Sequence, residues 1–197
     1  YYLRKNNFLY FASEAKALKK ALNLKRTKNK FFKTFQHCSE ETLWKDVYQL
    51  PPAHYIEYNL KSKKFSINEY WKIKQKKINK KTAQEELEYL LKKSVKLCTQ
   101  ADVDYGVYYS KGVDSTLIST FHKFKNKFYF DDQLNYEKNF RKIIKKIAYH
   151  LDFPVGSLSS YPLFELAKQA KSKGIKVIIS GEGADEIFGG YARYMPI

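Results

Sequence analysis

The sequence predicts an α/β fold in which a doubly wound parallel sheet follows a mostly β segment. Two observations support this prediction. Beyond Thr82, apolar residues at helical spacing alternate with short apolar runs that are typical of buried strands. Before residue 72, short alternating strands are separated by polar turns. Alternation of helices and strands favours parallel pairing, because parallel strands need a long crossover connection that is usually a helix.

The first 71 residues predict a mostly β segment with one short helix. The stretch NNFLYFASE, residues 6–14, indicates a turn followed by a strand. A short helix is predicted from Ser13, whose side chain is a suitable helix cap. Two segments of alternating apolar and polar residues flank a polar turn at Lys61–Lys63 and predict a hairpin.

A change in composition marks the predicted domain boundary. Residues 72–82, KIKQKKINKKT, are polar and strongly basic, which is typical of a linker. The 197 residues suffice for one large domain or two small ones. We therefore expect a first domain at 1–71, a linker at 72–82 and a second domain at 83–197.

The second domain is predicted to begin with a helix. Thr82 and Glu85 match a T-x-x-E capping box, and apolar residues at helical spacing continue to Cys98. Cys98 is expected to be a buried small hydrophobe. Gly174 is expected to close a later helix as a left-handed cap. The further predicted elements are a strand at 105–109, a loop at 110–115, helices at 115–124, 138–150 and 160–172, and strands at 127–130 and 175–180.

The net charge of +17 leaves two interpretations open. A strongly basic chain is typical of nucleic-acid-binding proteins. However, nearly all of the positive charge comes from lysines that are spread along the chain, and Lys, Asn, Tyr, Phe and Ile are all abundant. This pattern favours the composition of an AT-rich coding sequence, so we expect no specific nucleic-acid partner and only non-specific binding at low salt.

The cysteines, histidines and apolar runs argue against a disulfide-rich protein, a histidine metal site and a membrane-spanning protein. Cys38 and Cys98 form no CxxC pair and cannot build a disulfide framework, which favours a reducing, cytoplasmic setting. The four histidines show no metal-ligand spacing. No apolar run approaches the roughly 18 residues of a membrane span, so no membrane association is expected.

Two polar loops follow apolar strands and carry the candidate chemistry. The first, Ser110–Ser115, lies between a predicted strand and helix, an arrangement that directs backbone N–H groups at an anion. The second, Ser180–Tyr194, opens with four glycines and three carboxylates within eleven residues. Glycines allow close backbone approach to a ligand, and carboxylates beside a phosphate loop indicate Mg²⁺. A solvated glycine-rich turn is the alternative, but two such loops favour a ligand site.

Both loops resemble signatures of one family. Ser110-Lys111-Gly112-Val113-Asp114-Ser115 resembles the Ser-Gly-Gly-x-Asp-Ser pyrophosphate loop of the N-type ATP pyrophosphatases. SGEGADEIFGGYARY, from Ser180, resembles the second signature of glutamine-hydrolysing asparagine synthetases, and residues 150–171 resemble the stretch before it. FASEAKAL and LPPAHYIEY, both before residue 60, are similar to the end of that family's N-terminal glutaminase domain.

The resemblance implies a fold and a reaction. Residues 83–197 would be an incomplete synthetase domain of the adenine-nucleotide α-hydrolase type, and residues 1–71 part of a glutaminase-like domain. With ATP and Mg²⁺, such enzymes convert the side-chain carboxylate of aspartate, or a related carboxylate, into an acyl-adenylate and release pyrophosphate. Ammonia, supplied as such or from glutamine, then displaces AMP to leave the amide. The implied setting is cytoplasmic asparagine biosynthesis, and a homodimer is compatible with it.

The resemblance also implies a role for each matching residue. Asp114 and Asp185 would hold Mg²⁺. Glu182 would orient or deprotonate the incoming ammonia, or else act as a structural acid that accepts hydrogen bonds from loop N–H groups. Ser180 and Gly181 would lie against the AMP portion. The pyrophosphate would be bound by the remaining residues of the first loop, namely Ser110, Lys111, Gly112, Val113 and Ser115.

Departures from the family pattern keep a second interpretation open. Lys111 stands where the family has glycine. Lysine there either impairs the loop or pairs with phosphate. Impairment is favoured, because the family's glycine serves a backbone conformation that a side-chain charge does not restore. The stretch between Phe130 and the helix that ends near His150 is shorter than in the family by about one helix–strand unit. The chain begins at Tyr1, without the family's catalytic N-terminal cysteine, and ends at Ile197, so we expect no glutamine hydrolysis by this segment. The alternative is a degenerate, non-catalytic nucleotide-binding remnant or partner subunit.

Overall fold

The computed structural model describes residues 1–27, 40–75, 77–130 and 136–194. The chain divides into two compact units. The first unit comprises Tyr1–Lys76 and Phe140–Leu158, and the second comprises Lys77–Asn139 and Ser159–Ile197. Each unit is therefore assembled from two separate stretches of chain. Cys38 lies outside the described residues.

The first unit contains two antiparallel hairpins. Strands β1 (Tyr2–Lys5) and β2 (Phe8–Phe11) pair around Asn6 and Asn7, which have φ angles of 51° and 61°. Asparagine tolerates this left-handed backbone, which a two-residue hairpin turn of type I′ requires. Strands β3 (His54–Tyr58) and β4 (Phe65–Glu69) form the second hairpin. The predicted hairpin around Lys61–Lys63 is confirmed, as are the turn at Asn6 and the strand after it, whereas β1 was not predicted.

Helix α1 (Ala15–Leu22) packs on the first hairpin through Leu18, beside the buried Leu3. The predicted cap is wrong: Glu14 rather than Ser13 occupies the N-cap position, and its side chain makes no capping hydrogen bond. Instead, the Lys16 backbone N–H donates to Oδ2 of Asp152, at 3.3 Å. A carboxylate that is distant in sequence therefore caps the helix.

The second unit begins with helix α2 (Lys80–Cys98). Its N-cap is Asn79, whose side-chain oxygen accepts a hydrogen bond from the Thr82 N–H at 2.9 Å. The predicted capping box at Thr82 is therefore wrong by one turn, and the last three residues of the predicted linker are helical. Cys98 is exposed rather than buried, whereas Val95 is buried. Cys98 falls on the solvent side because the last turn of α2 packs through Val95.

The second unit is built around a three-stranded parallel sheet. Strand β5 (Tyr105–Tyr108) lies between β6 (Asn126–Phe128) and β7 (Val177–Ile179). Both pairings are parallel, which confirms the predicted α/β class. Because β6 and β7 flank β5 on opposite sides, the direction of winding changes at β5. Ligand sites of open α/β sheets lie at such a switch point, beyond the carboxyl ends of the strands.

The other three predicted helices start and end within about three residues of the predicted positions, a shift that is ordinary for sequence-based boundaries. Helix α3 (Val113–Phe121) begins earlier than predicted, so that Asp114 and Ser115 belong to its first turn. Gly174 follows the helix at Ser160–Ser172 and has a φ angle of 72°, which confirms the predicted left-handed cap. The two remaining elements of this set are α4 (Tyr136–Leu151) and α5 (Ser160–Ser172). The predicted loop at 180–194 also contains a short helix, α6 (Ala184–Phe188), and a 3₁₀ turn (Ala192–Tyr194), neither of which was predicted.

The core of the second unit lies between the sheet and α5. Phe128 of β6 packs with Leu166 and Ala170 of α5 and with Ile175, which precedes β7. This packing holds β6, α5 and the start of β7 together. None of the helices described in either unit combines the length and the apolar composition that a membrane crossing requires.

Candidate functional site

A cavity of about 800 Å³ lies in the second unit where β5 and β7 end. Its walls include both polar loops singled out in the sequence. The structure brings eight predicted residues to this cavity: Ser110, Lys111, Asp114, Ser115, Ser180, Gly181, Glu182 and Asp185. Gly112 and Val113 are not among the lining residues, and the side chain of Val113 is exposed instead.

The buried hydroxyl of Ser115 closes the first loop. Its Oγ accepts a hydrogen bond from the Ser110 N–H at 3.2 Å and donates to the Gly112 carbonyl oxygen at 3.2 Å. The Ser110 Oγ accepts in turn from the Gly112 N–H at 3.3 Å. These bonds fold residues 110–115 into a tight turn. Gly112 is the N-cap of α3 and provides no side-chain cap, so the helix begins with backbone N–H groups at the loop.

Lys111 occupies a left-handed backbone position within this turn. Its φ angle is 62°, a region in which glycine is at ease and other residues are uncommon. The side chain is exposed and contributes to the cavity wall. This is a conformation that glycine adopts without strain and that lysine adopts at a cost.

The second loop depends on close approach at two glycines. A Cβ atom built on Gly181 would lie 2.8 Å from the Cβ of Asp114, so that this glycine lets the two loops touch. A Cβ atom built on Gly190 would lie 2.0 Å from Oδ1 of Asp185, so that Gly190 leaves room for that carboxylate. Gly183 serves a different need, because it caps α6 with a φ angle of 94°.

Glu182 is exposed on the cavity wall, and its backbone N–H donates to the Ser180 Oγ at 3.4 Å. A third acid of this loop, Glu186, accepts a hydrogen bond of 2.6 Å from the Tyr191 hydroxyl. The Tyr191 ring stacks edge-on against Tyr194, with 5.5 Å between the ring centroids. The loop is therefore closed by a tyrosine that the sequence analysis did not single out.

Aromatic residues form a further wall that the sequence analysis missed. Tyr109 and Tyr129 line the cavity directly after β5 and β6, with ring centroids 5.3 Å apart. Lys127 lies over the Tyr109 ring at 5.2 Å. Burial raises the pKa of the Tyr108 phenol, which also lines the cavity. In the sequence each tyrosine falls inside a predicted strand, at 105–109 and 127–130, and only the parallel pairing of β5 and β6 makes the two rings neighbours.

The acids of the cavity do not form a complete metal cage. Within the described ranges, no group of three or more His, Cys, Asp or Glu side chains is arranged to hold a metal ion. Asp114 and Asp185 both line the cavity, on loops that touch at Gly181. Two carboxylates fit Mg²⁺, since this ion is usually bound by one or two carboxylates together with substrate phosphates and water.

Comparison with known proteins gives one family match and several curated relatives, some of which align with nearly the whole chain. The model of the asparagine synthase family matches residues 86–135 and 133–197, which is more than half of the chain. The chain is 31% identical over 236 aligned positions to glutamine-hydrolysing asparagine synthetase 1 of Bacillus subtilis, covering 98% of this chain and 36% of that protein. It is 28% identical over 155 positions to glutamine-hydrolysing asparagine synthetase B of Escherichia coli, covering 57% of this chain and 28% of that protein. The chain spans less than half the length of these curated relatives.

Proposed function

The chain belongs to the asparagine synthase family, and on this premise we propose that it is the nucleotide-binding part of an ATP-dependent amide-forming ligase of the asparagine synthetase type. One observation carries the proposal: both glycine-bearing loops meet in one cavity at the carboxyl ends of β5 and β7. In open α/β sheets this is where nucleotides bind. The synthetase domain would comprise 83–197 as a doubly wound sheet, with a glutaminase-like segment at 1–71.

The first loop would bind the pyrophosphate portion of ATP. Backbone N–H groups at the start of α3 provide donors for phosphate oxygens, and the helix dipole favours negative charge there. The Ser115 hydroxyl would act mainly on the loop itself, since its hydrogen bonds to Ser110 and Gly112 hold the turn. Such preorganised donors stabilise a phosphorus centre on which charge develops during reaction.

Asp114 and Asp185 would hold Mg²⁺ against the phosphates, and when bound this ion would supply charge neutralisation. Gly181 and Gly190 maintain the space that these two carboxylates occupy. Ser180 and Gly181 would lie against the AMP portion of the nucleotide. In this chain, glycine at 181 and 190 thus leaves room for Asp114 and Asp185.

The reaction would proceed in two steps. A carboxylate oxygen of aspartate or a related acid attacks the α-phosphorus, the bond to pyrophosphate breaks, and an acyl-adenylate forms. Ammonia then attacks the acyl carbon, AMP leaves with the oxygen, and the nitrogen loses a proton. Glu182, exposed on the cavity wall, would orient the ammonia or accept that proton. Ammonia would come from solution or from glutamine, in a cytoplasmic setting, and a homodimer is compatible with this scheme.

A non-catalytic nucleotide-binding protein or partner subunit is the second candidate. Two observations favour it. Lys111 replaces the glycine of the pyrophosphate loop. The family match also falls into two segments that meet at residues 133–135, in the stretch where the sequence lacks about one helix–strand unit. Both candidates require nucleotide binding, and only the first requires amide formation.

Isothermal titration of the full chain with Mg·ATP tests the binding that both candidates share. We expect Asp114→Asn and Asp185→Asn each to weaken binding by at least about tenfold, or 1.4 kcal/mol, because each removes one metal carboxylate. Asp104→Asn is the matched control, since Asp104 is exposed, belongs to the same unit and does not line the cavity. Equal binding by all four proteins would remove the proposed metal role. Release of pyrophosphate on addition of aspartate and ammonia then separates the enzyme from the non-catalytic candidate.

A further inference from the structure

Lys111 differs in charge from the other titratable residues around it. Four carboxylates line the cavity, those of Asp114, Glu182, Asp185 and Glu186. Among the lining residues that the structure describes, Lys111 alone is a lysine or arginine. The wall is therefore acidic, although the chain as a whole carries a formal charge of +17. A phosphate group entering such a cavity is repelled unless a cation lies within it.

The backbone at Lys111 accommodates the lysine without opening the loop. The φ angle of 62° is the left-handed conformation that a glycine would adopt. On either side of Lys111, the hydrogen bonds of Ser110 with Gly112 and with Ser115 remain intact, at 3.3 Å and 3.2 Å. The lysine is thus accommodated in the turn with these hydrogen bonds in place, and it belongs to the residues that line the cavity.

We propose that Lys111 is a resident cation for the pyrophosphate moiety and lowers the dependence of phosphate binding on a divalent metal. The inference rests on the proposed nucleotide-binding function and names one more residue of that site. The ligand chemistry is a diphosphate or triphosphate chain, whether as inorganic pyrophosphate or as part of a nucleotide. A lysine ammonium binds phosphate as a point charge with three donors. The sequence alone favours the opposite effect, in which Lys111 impairs the loop and weakens the binding of the phosphate chain.

Titration of the full chain with inorganic pyrophosphate in EDTA tests the inference. We expect Lys111→Gly and Lys111→Asn to weaken binding by at least about tenfold, equal to 1.4 kcal/mol. Asparagine tolerates the left-handed backbone and serves as a second neutral variant if the glycine variant loses structure. Lys111→Arg should bind within about threefold of the wild type, because it retains the charge. With excess Mg²⁺ the differences should shrink, because the metal neutralises the same phosphate charge.

Lys63→Gly provides the matched control. Lys63 is also exposed and left-handed, with a φ angle of 57°, but it lies in the turn between β3 and β4 and does not line the cavity. Its replacement changes net charge and backbone strain in the same way and should leave pyrophosphate binding within about twofold. Two outcomes in EDTA overturn the inference. One is a pyrophosphate affinity of Lys111→Gly that equals or exceeds that of the wild type. The other is the absence of pyrophosphate binding by the wild type. A parallel titration with Mg·ATP separates the two proposals: retained Mg·ATP binding leaves the proposed function standing when the Lys111 inference fails.

Discussion

Gly181 and Asp114 touch: a Cβ atom on the glycine would lie 2.8 Å from the Cβ of the aspartate and 3.4 Å from the Ser115 nitrogen. The contact joins the loop after β7 to the first turn of α3. Both neighbours belong to one helix turn that cannot yield at low cost, since the Ser115 hydroxyl holds it to the preceding loop. The distance between the two loops is therefore set by the absence of a side chain at residue 181.

Gly181→Ala should separate the two loops. We expect a loss of about 1–3 kcal/mol in the free energy of unfolding, as for other overpacked sites, measured by urea denaturation. Mg·ATP binding, measured by calorimetry, should fall by at least about tenfold because Asp114 moves away from the second loop.

Gly174→Ala is the control for this substitution. A Cβ atom there meets nothing within 4 Å, but the φ angle of 72° makes alanine unfavourable. It should reduce stability by about 1 kcal/mol through backbone strain and leave nucleotide binding unchanged. Unaltered Mg·ATP binding by Gly181→Ala would show that the contact between the loops has no part in the site.

Gly190→Ala should displace the carboxylate of Asp185, because the new Cβ would lie 2.0 Å from its Oδ1. An aspartate side chain can rotate away in this exposed loop, so we expect a change in unfolding free energy below about 1 kcal/mol. Mg·ATP affinity should nevertheless drop towards that of Asp185→Asn. An affinity equal to the wild type would contradict the proposed position of Asp185 in the metal site.

Ser115→Ala should loosen the first loop. The substitution removes the acceptor for the Ser110 N–H and the donor to the Gly112 carbonyl oxygen at a buried position. We expect a loss of about 1–3 kcal/mol in unfolding free energy, measured by urea denaturation. Thr120→Ala is the control, because its hydroxyl is exposed and bonds only locally to the Leu117 carbonyl oxygen. Equal stability of the two variants would mean that the buried hydroxyl does not hold the turn.

The ion pairs of Lys16 predict a loss of stability at alkaline pH. Burial lowers the pKa of Lys16, but hydrogen bonds to Glu14 and Asp152 outweigh it, so the net pKa is raised. Its Nζ lies 3.0 Å from Glu14 and 3.2 Å from Asp152. A raised pKa contributes stability that is complete below the unfolded value, about 10.4, and is lost as the pH rises through the folded value.

Lys16→Met should abolish this contribution. The variant should be less stable than the wild type at neutral pH, and the difference in urea midpoint should narrow as the pH rises above about 10.4. Comparing the two proteins at each pH cancels the titration of the tyrosines and of the other lysines. A difference that stays constant from pH 7 to beyond pH 11 would mean that the ion pairs do not stabilise the folded chain.

Much of the second unit was predictable because its signals are local. Alternating helices and strands indicated the α/β class, and the apolar runs before Ser110 and Ser180 placed both loops at strand ends. Gly174 was recognised as a helix cap because a left-handed residue is needed directly where the helix stops. The loop positions and the cap each depend on fewer than about twenty consecutive residues, within which propensity and spacing decide the structure, and the α/β class follows from the order of such segments.

Other features depend on residues that are distant in sequence. The cap of α1 comes from Asp152 rather than Ser13, and Cys98 is exposed because α2 packs through Val95. Tyr109 and Tyr129 become neighbours only because β5 and β6 pair in parallel.

Local patterns along the chain predicted most of the helices and strands, both polar loops and the family resemblance, but not β1 or α6. The tertiary structure decided which side chains share the cavity: it brings Asp114 against Gly181 and turns Val113 outwards. The physical reason is that helix and turn formation depend on neighbours along the chain, whereas close approach depends on strand pairing and core packing. The acidic wall around Lys111 follows from that packing, since its four carboxylates come from two loops separated by about 70 residues of sequence.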